Sequence, residues 1–221
     1  MFANRKEAAI RLARALEAYR GSNVLVLGIP RGGAETGYYV ADYLEGEFSL
    51  MVCRKLGHPA NPEYAMGAIA EDGSLYLNPD ALRGLSPGSI EEVKTREQKE
   101  LQRRIRALRG GTPLPPLHGR TVILVDDGIA TGATLFAAIR MCRNGKAARV
   151  VVAAPVAGAE QEADLARQAD EVVILELPEL YYAVSQAYGS FPEMQDEETV
   201  DFLNRWRNNH AEYRRQRKEG Q

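Results

Sequence analysis

The chain is poor in the residues that crosslink a protein or bind metals through sulfur and imidazole. Its 221 residues include two cysteines and three histidines. Cys53 falls in a predicted strand and Cys142 in a predicted helix, which favours two buried thiols over a disulfide or a nucleophile. His58, His118 and His210 are scattered, without the spacing of metal ligands. We therefore expect neither a disulfide framework nor a histidine-based metal site.

Long apolar runs and an excess of charge are also missing. No apolar run is long enough to cross a bilayer, and residues 1–7 lack the apolar core of a signal peptide. These absences predict a cytoplasmic protein without a membrane partner. The formal net charge of −2 argues against nucleic acid as a partner, because nucleic-acid-binding proteins usually present a basic surface.

The length and the order of the predicted elements indicate one α/β domain. With 221 residues, of which 45% are hydrophobic, the chain can bury a substantial core. Strand and helix patterns alternate, which predicts a parallel sheet with helices on both faces and ligands beyond the carboxyl ends of the strands. The predicted strands are residues 23–29, 48–54, 65–70, 75–77, 121–125, 149–154 and 171–175. The predicted helices are residues 4–19, 34–44, 89–108, 131–143, 159–168 and 196–206.

The most informative segment follows the apolar strand at residues 121–125. Two carboxylates, Asp126 and Asp127, stand where this strand ends, and a turn of small residues then opens a helix. Such a turn exposes backbone N–H groups at the positive end of a helix dipole, which suits a phosphate. No Gly-Lys-Ser/Thr follows, so the turn is not a nucleotide P-loop, and no Gly-x-Gly-x-x-Gly motif occurs. The turn consists of Gly128, Ile129, Ala130, Thr131, Gly132, Ala133 and Thr134.

This segment resembles the signature of the type I phosphoribosyltransferases for 5-phosphoribosyl 1-diphosphate (PRPP). That signature has four hydrophobic residues, two acids and Gly-x-x-Thr-Gly-x-Thr, and the chain matches every position that defines it. The resemblance implies that residues 128–134 bind the 5-phosphate of PRPP and that Asp126 and Asp127 face the ribose hydroxyls. It also implies a Mg²⁺ cofactor, held mostly by substrate oxygens and water, with at most water-mediated contact to the two acids.

Two weaker motifs fit the same resemblance. Pro30, Arg31, Gly32 and Gly33 follow the first predicted strand and look like the family's pyrophosphate loop. The glycines leave backbone N–H groups uncovered and the arginine offers a two-pronged donor, although a purely structural turn is the alternative. Lys55, at the end of the strand at residues 48–54, is similar to a lysine that reaches the diphosphate in the family. The alternative for Lys55 is a solvated strand end.

The remaining segments carry weaker predictions. Residues from about 57 to 120 form a long insertion after the strand at residues 48–54, where the family has its mobile catalytic loop. Gly, Pro and Asn at its entry and Gly110–Gly111 at its exit are typical of a moving lid, but it could instead pack permanently or join two subunits. Residues 213–218 form a basic tail, interpreted as a solvated end.

The family's acceptor pocket, or hood, is built from the chain ends, here about residues 1–20 and 176–208. Tyr181, Tyr182, Tyr188 and Phe191 could stack on a planar base or could serve packing alone. The sequence does not indicate which acceptor such a pocket would take.

Together these features predict a single phosphoribosyltransferase domain, residues 1–221, with its core at about residues 23–177. The expected reaction is displacement of pyrophosphate from PRPP by a small nitrogen acceptor, a base or an amine, with inversion at C1. Arg31 and Lys55 would neutralise the leaving group, and Asp126 and Asp127 would stabilise the ribosyl cation. The alternative is a regulator that senses PRPP or a nucleotide without catalysis. A homodimer is a further expectation of the resemblance.

Overall fold

A computed structural model describes residues 1–210, apart from the side chain of Glu63. The basic tail at residues 213–218 lies outside the described residues. The strands are β1 (Leu25–Gly28), β2 (Glu47–Leu50), β3 (Cys53–His58), β4 (Asn61–Ala70), β5 (Leu75–Leu77), β6 (Thr121–Val125), β7 (Arg149–Val156) and β8 (Glu171–Glu176). The α-helices are α1 (Arg5–Ala15), α2 (Gly33–Leu44), α3 (Pro87–Arg109), α4 (Ala133–Asn144), α5 (Ala159–Ala166) and α6 (Asp196–Asn209). None of these helices is long and apolar enough to cross a membrane.

The main sheet has five parallel strands in the order β2-β1-β6-β7-β8. After their first residues, Thr121 and Arg149, the central strands β6 and β7 are apolar and buried, as expected for a sheet that is covered on both faces. β1 and β6 are neighbours, and their last residues, Gly28 and Val125, are paired. The segments that follow these two strands therefore emerge side by side at the carboxyl edge of the sheet.

Helices cover both faces of the main sheet, and the predicted α/β fold is confirmed. Val26 and Ile123 point to one face and pack with residues of α1, α2, α3 and α6. Leu27 and Leu124 point to the other face and pack with residues of α4 and α5. The alternation follows from the two-residue period of a strand, which sends neighbouring side chains to opposite faces.

The predicted strand at residues 48–54 is wrong, because the structure divides it between two sheets. β2 ends at Leu50 in the main sheet, whereas β3 begins at Cys53 and joins β4 and β5 in an antiparallel sheet. The sequence contains no break at this point because the connecting residues, Met51 and Val52, are themselves apolar and fully buried. They contribute to the cores on opposite faces of the main sheet.

The antiparallel sheet forms the first part of the insertion and packs on helix α4. Ala68 and Ala70 of β4 contact Ala133 and Ala137 of α4, so small residues on both sides bring the sheet and the helix close together. On the other side, Leu56 joins the core that includes residues of α3. The sheet therefore lies between two helices.

A buried ion pair fixes the far end of the insertion. Arg109, the last residue of α3, binds Glu71 with a shortest N···O distance of 2.6 Å, and the two side chains are 2% and 8% exposed. Arg109 also donates a hydrogen bond to the carbonyl of Leu50 at 2.7 Å, at the end of β2. These contacts favour the permanently packed alternative for β4 and α3 over a lid that moves as a whole.

The two chain ends, predicted as hood candidates, meet beside the main sheet. The N–H of Phe2 donates to the carbonyl of Ala187 at 2.7 Å, and the N–H of Gly189 returns to the carbonyl of Phe2 at 2.7 Å. Helix α6 lies against α2, with Trp206 fully buried. The amino-terminal segment thus pairs with the chain that follows a short 3-10 helix at Val184–Ala187.

Candidate active site

Two loops meet at the carboxyl edge of the main sheet, one after β1 and one after β6. The peptide bond between Pro30 and Arg31, in the first loop, is cis. Glycines allow the close approach of the loops: a Cβ atom added to Gly33 would lie 2.6 Å from the carbonyl oxygen of Val125. A Cβ atom added to Gly32 would lie 1.7 Å from Oδ2 of Asp127. The two glycines are therefore needed for contact between the loops, and helix α2 begins at the second of them, Gly33.

A cavity of about 250 Å³ opens where these loops meet. All of the predicted site residues line it except Gly33 and Ala133, which lie behind its wall against Val125 and against the small residues of β4. Its lining also includes Leu135 and Val184, which sequence reasoning missed. The cavity is lined by Pro30, Arg31, Gly32, Lys55, Asp126, Asp127, Gly128, Ile129, Ala130, Thr131, Gly132, Thr134, Leu135 and Val184.

The turn after the acids is held so that helix α4 begins at the cavity. Gly132 has a φ of 69°, in the left-handed region that favours glycine, and α4 begins at Ala133. The helix therefore starts two residues later than the predicted Thr131. Thr131 is exposed at the cavity. The N–H groups of the first helical turn lack helical partners, so this end of α4 is suited to an anion.

The two acids at the end of β6 are partly buried rather than openly exposed. Oδ1 of Asp126 accepts a hydrogen bond from the N–H of Asp127 at 2.9 Å. Burial raises the pKa of Asp126 well above its ordinary value, and the negative charge of Asp127 raises it further, while Lys55 opposes the shift. The negative charge beside Asp126 thus makes ionisation of Asp126 less favourable, and the pair of acids would attract a cationic centre.

A buried arginine that the sequence analysis did not select binds Asp127. Nε of Arg5 donates to Oδ2 of Asp127 at 2.7 Å, and the two side chains are 7% and 13% exposed. A signal for Arg5 exists in the sequence, because it shares one face of α1 with the apolar residues Ala8 and Leu12. A charge on the buried face of a helix requires a partner, although the pattern alone cannot identify that partner.

The two predicted cations reach the cavity from different sheets. Arg31 follows β1, and its guanidinium contacts the carboxylate of Glu193, with 35% and 72% of the two side chains exposed. Lys55 lies inside β3 of the antiparallel sheet rather than at a strand end, and it is exposed. Its neighbour Arg54, for which the sequence left the role open, binds Glu97 of α3 at 2.8 Å.

The aromatic residues of the hood are mostly engaged in packing. One face of Phe191 is 3.8 Å from the guanidinium carbon of Arg5, and its ring also stacks on Tyr188, with 4.6 Å between centroids. Tyr188 is buried, and its hydroxyl donates to the backbone carbonyl of Asp127. These contacts favour packing over base stacking for Phe191 and Tyr188. Tyr182 is 80% exposed.

Tyr181 differs from the other aromatic residues of the hood in the environment of its hydroxyl group. Its hydroxyl is buried and has no hydrogen-bond partner within residues 1–210. Burial and the charges of Asp127 and Asp126 raise the pKa of Tyr181 to about 12. It therefore remains protonated at neutral pH, near the acids.

The donor set fits a Mg²⁺ ion held mainly by a substrate. Across the described part of the chain, no group of three or more His, Cys, Asp or Glu side chains could hold a metal ion. Asp126 and Asp127 are the acids at the cavity, and Oδ2 of Asp127 already binds Arg5. Mg²⁺ commonly keeps several waters and binds one or two carboxylates together with substrate phosphates.

Comparisons with known proteins identify the family to which this chain is related. A family model described as phosphoribosyl transferase domain matches residues 2–187. The Mycobacterium tuberculosis H37Rv protein named "Putative phosphoribosyl transferase Rv0571c" is 43% identical over 214 residues, which cover 96% of this chain and 48% of that protein. A protein of strain CDC 1551 / Oshkosh named "Putative phosphoribosyl transferase MT0597" shows the same identity and coverage. This chain thus spans about half the length of both relatives.

A solved structure extends the similarity to the whole fold. The crystal structure of TT1426 from Thermus thermophilus aligns with a TM-score of 0.80 and 40% sequence identity. The alignment covers 93% of this chain and 98% of that chain. The family match covers most of the chain and includes both loops of the cavity, so this protein belongs to the phosphoribosyl transferase domain family.

Proposed function

We propose that this protein transfers the 5-phosphoribosyl group of PRPP to a nitrogen acceptor and releases pyrophosphate. A bond forms between the acceptor nitrogen and C1 of the ribose, the bond from C1 to the diphosphate oxygen breaks, and the acceptor loses a proton. The observation that carries this proposal is the meeting of the two loops in one cavity. That cavity combines a helix amino terminus, paired carboxylates and two cations.

The helix end and the two cations would bind different phosphate groups of PRPP. Residues 128–134 would bind the 5-phosphate through the N–H groups at the start of α4 and the hydroxyls of Thr131 and Thr134. Arg31 and Lys55 would bind the diphosphate, together with the backbone of Gly32. On binding, Arg31 would leave the exposed carboxylate of Glu193 and contact the diphosphate.

The acids would act on the sugar. Asp126 and Asp127 would accept hydrogen bonds from the ribose hydroxyls and favour the positive charge that develops at C1 as pyrophosphate leaves. When bound, Mg²⁺ would reduce the negative charge of the diphosphate. The proposal needs no covalent nucleophile, because catalysis rests on positioning and charge.

The names of the M. tuberculosis relatives support transfer as the reaction class, and the acceptor stays open between a base and an amine. A cytoplasmic location and a homodimer also stay predictions. The packing of Phe191 and Tyr188 makes a base held between these two rings the less favoured form of acceptor.

The test is to incubate the protein with PRPP, Mg²⁺ and a panel of bases and amines while pyrophosphate is measured. We expect release of pyrophosphate that depends on one class of acceptor, and we expect the Asp126→Asn variant to lose this activity. Tight PRPP binding without release for any acceptor would instead support a sensor of PRPP. Failure to bind PRPP would contradict both functions.

A further inference from the structure

Arg5 is held rigidly at the start of helix α1. The side chain of Asn4 caps this helix by accepting a hydrogen bond from the N–H of Glu7 at 3.0 Å. One and two turns later, Ala8 and Leu12 are fully buried and anchor the helix in the core. The guanidinium of Arg5 is therefore carried to the site by an element that cannot easily move.

The surroundings of Arg5 compensate its burial. Besides the bond from Nε to Asp127, Nη1 donates to the carbonyl oxygen of Pro192 at 2.7 Å. The planar group lies over the ring of Phe191. A buried guanidinium is costly unless its charge is paired and its N–H groups are satisfied, and here an ion pair, a carbonyl and an aromatic face provide those contacts.

We propose that Arg5 is a positioning residue of the transfer site. It binds Oδ2 of Asp127, which also lies against Gly32, so Oδ1 is the oxygen left for a ribose hydroxyl. The amino-terminal segment thus completes a site whose other groups lie in β3 or follow β1 and β6. This inference rests on the proposed function for the identity of the sugar ligand.

A purely structural role for Arg5 predicts a different pattern of ligand affinities. Arg5 also joins α1 to the segment around Pro192, so its loss could simply destabilise the protein. Destabilisation would not distinguish one part of the substrate from another. Positioning of Asp127, in contrast, should affect ligands that contain the ribose and spare ligands that contain only the diphosphate.

The experiment compares Arg5→Met and Arg5→Lys with the wild type by calorimetric titration of ribose 5-phosphate and, separately, of pyrophosphate. We expect Arg5→Met to weaken ribose 5-phosphate by about ten- to a hundredfold, the effect of losing hydrogen bonds to a charged group, and to leave pyrophosphate unchanged. Arg5→Lys keeps the positive charge and should therefore recover part of the affinity for ribose 5-phosphate. The recovery should be incomplete because lysine lacks the planar guanidinium group.

Arg11→Met is the matched control. Arg11 lies on the same helix and also covers an aromatic ring, at 4.6 Å from the centre of Phe2. Its ion pairs reach Glu7 and Glu176, and 45% of the side chain is exposed, so it makes no contact with the acids of the cavity. We expect wild-type affinity for both ligands, and thermal unfolding checks that all variants are folded.

Unchanged ribose 5-phosphate affinity in a folded Arg5→Met protein would overturn the inference. If Arg5→Met does not fold, Arg5→Lys decides: a selective loss of ribose 5-phosphate supports positioning, and unchanged affinity or an equal loss of both ligands contradicts it. If the wild type binds ribose 5-phosphate but transfers it from PRPP to no acceptor, the proposed function fails while the titrations still decide the role of Arg5. If the wild type does not bind ribose 5-phosphate, the inference about Arg5 is wrong, while release of pyrophosphate from PRPP still decides the proposed function.

Discussion

Replacement of Gly32 by alanine tests the contact between the two loops with the smallest possible change. The backbone of Gly32 has φ −58° and ψ −34°, a conformation that alanine adopts without strain. The new Cβ atom would nevertheless lie 1.7 Å from Oδ2 of Asp127. An ordinary carbon–oxygen contact needs roughly twice that separation, so the carboxylate has to retreat by more than about 1 Å. The bond between Asp127 and Arg5 cannot survive this shift unchanged.

The expected result is a large loss of function with a modest loss of stability. A misplacement of about 1 Å in a reacting group can cost about a hundredfold in rate, so we expect a fall of at least that size in kcat/KM for PRPP. Overpacking should lower the free energy of unfolding by about 1–3 kcal/mol. Steady-state pyrophosphate release and urea unfolding measure the two quantities.

Gly88→Ala serves as the control for this substitution. Gly88 lies in the first turn of α3, where an added Cβ atom would meet no atom closer than 3.8 Å. We expect wild-type kinetics and equal or slightly higher stability, because alanine favours a helix. Wild-type turnover of PRPP by Gly32→Ala would refute the inference that close contact between the loops shapes the site.

Three further substitutions separate function from stability. Asp126→Asn should lower kcat/KM for PRPP by about a hundredfold or more. The variant should nevertheless be at least as stable as the wild type at pH 7. The pKa of Asp126 is raised in the folded protein, so the folded state loses stability when the carboxyl group ionises above its ordinary pKa of 3.8. Arg31→Ala should weaken pyrophosphate and PRPP in calorimetric titrations and spare ribose 5-phosphate. Arg109→Met should lower the free energy of unfolding by about 3–5 kcal/mol, because it leaves the buried carboxylate of Glu71 unpaired.

Each of these expectations has a result that opposes it. Normal turnover by Asp126→Asn would remove this acid from the site. Equal losses of ribose 5-phosphate and pyrophosphate in Arg31→Ala would contradict the division between the two phosphate sites. For Arg109→Met the control is Arg103→Met, whose side chain is 63% exposed in an ion pair three residues apart. A similar small loss in both arginine variants would show that the buried pair does not anchor the insertion.

The part of the site that could be predicted from sequence is local in the chain. The strand that ends at Val125, the two acids and the glycine-containing turn follow one another within about fifteen residues, so their chemistry appears as a continuous pattern. The loop after β1 could be added because the carboxyl ends of parallel strands meet at one edge. The structure brings these two segments into one cavity.

The contacts that escaped prediction join residues far apart in sequence. Arg5 meets Asp127 across 122 positions, and Arg31 meets Glu193 across 162. A single sequence has no spacing rule for such pairs, since they depend on how the chain ends fold back over the sheet. The division of residues 48–54 between two sheets was hidden for a different reason, because Met51 and Val52 are apolar and buried like strand residues.

The most direct test of the central claim is to identify the product formed at C1 of the ribose. PRPP carries its diphosphate on the α face, so displacement by nitrogen with inversion yields a β-linked N-riboside 5-phosphate. Proton NMR of the anomeric position, followed together with pyrophosphate, should show one β-linked product for each pyrophosphate released. Ribose 5-phosphate and pyrophosphate as the sole products, or PRPP that is bound and left unchanged, would contradict phosphoribosyl transfer.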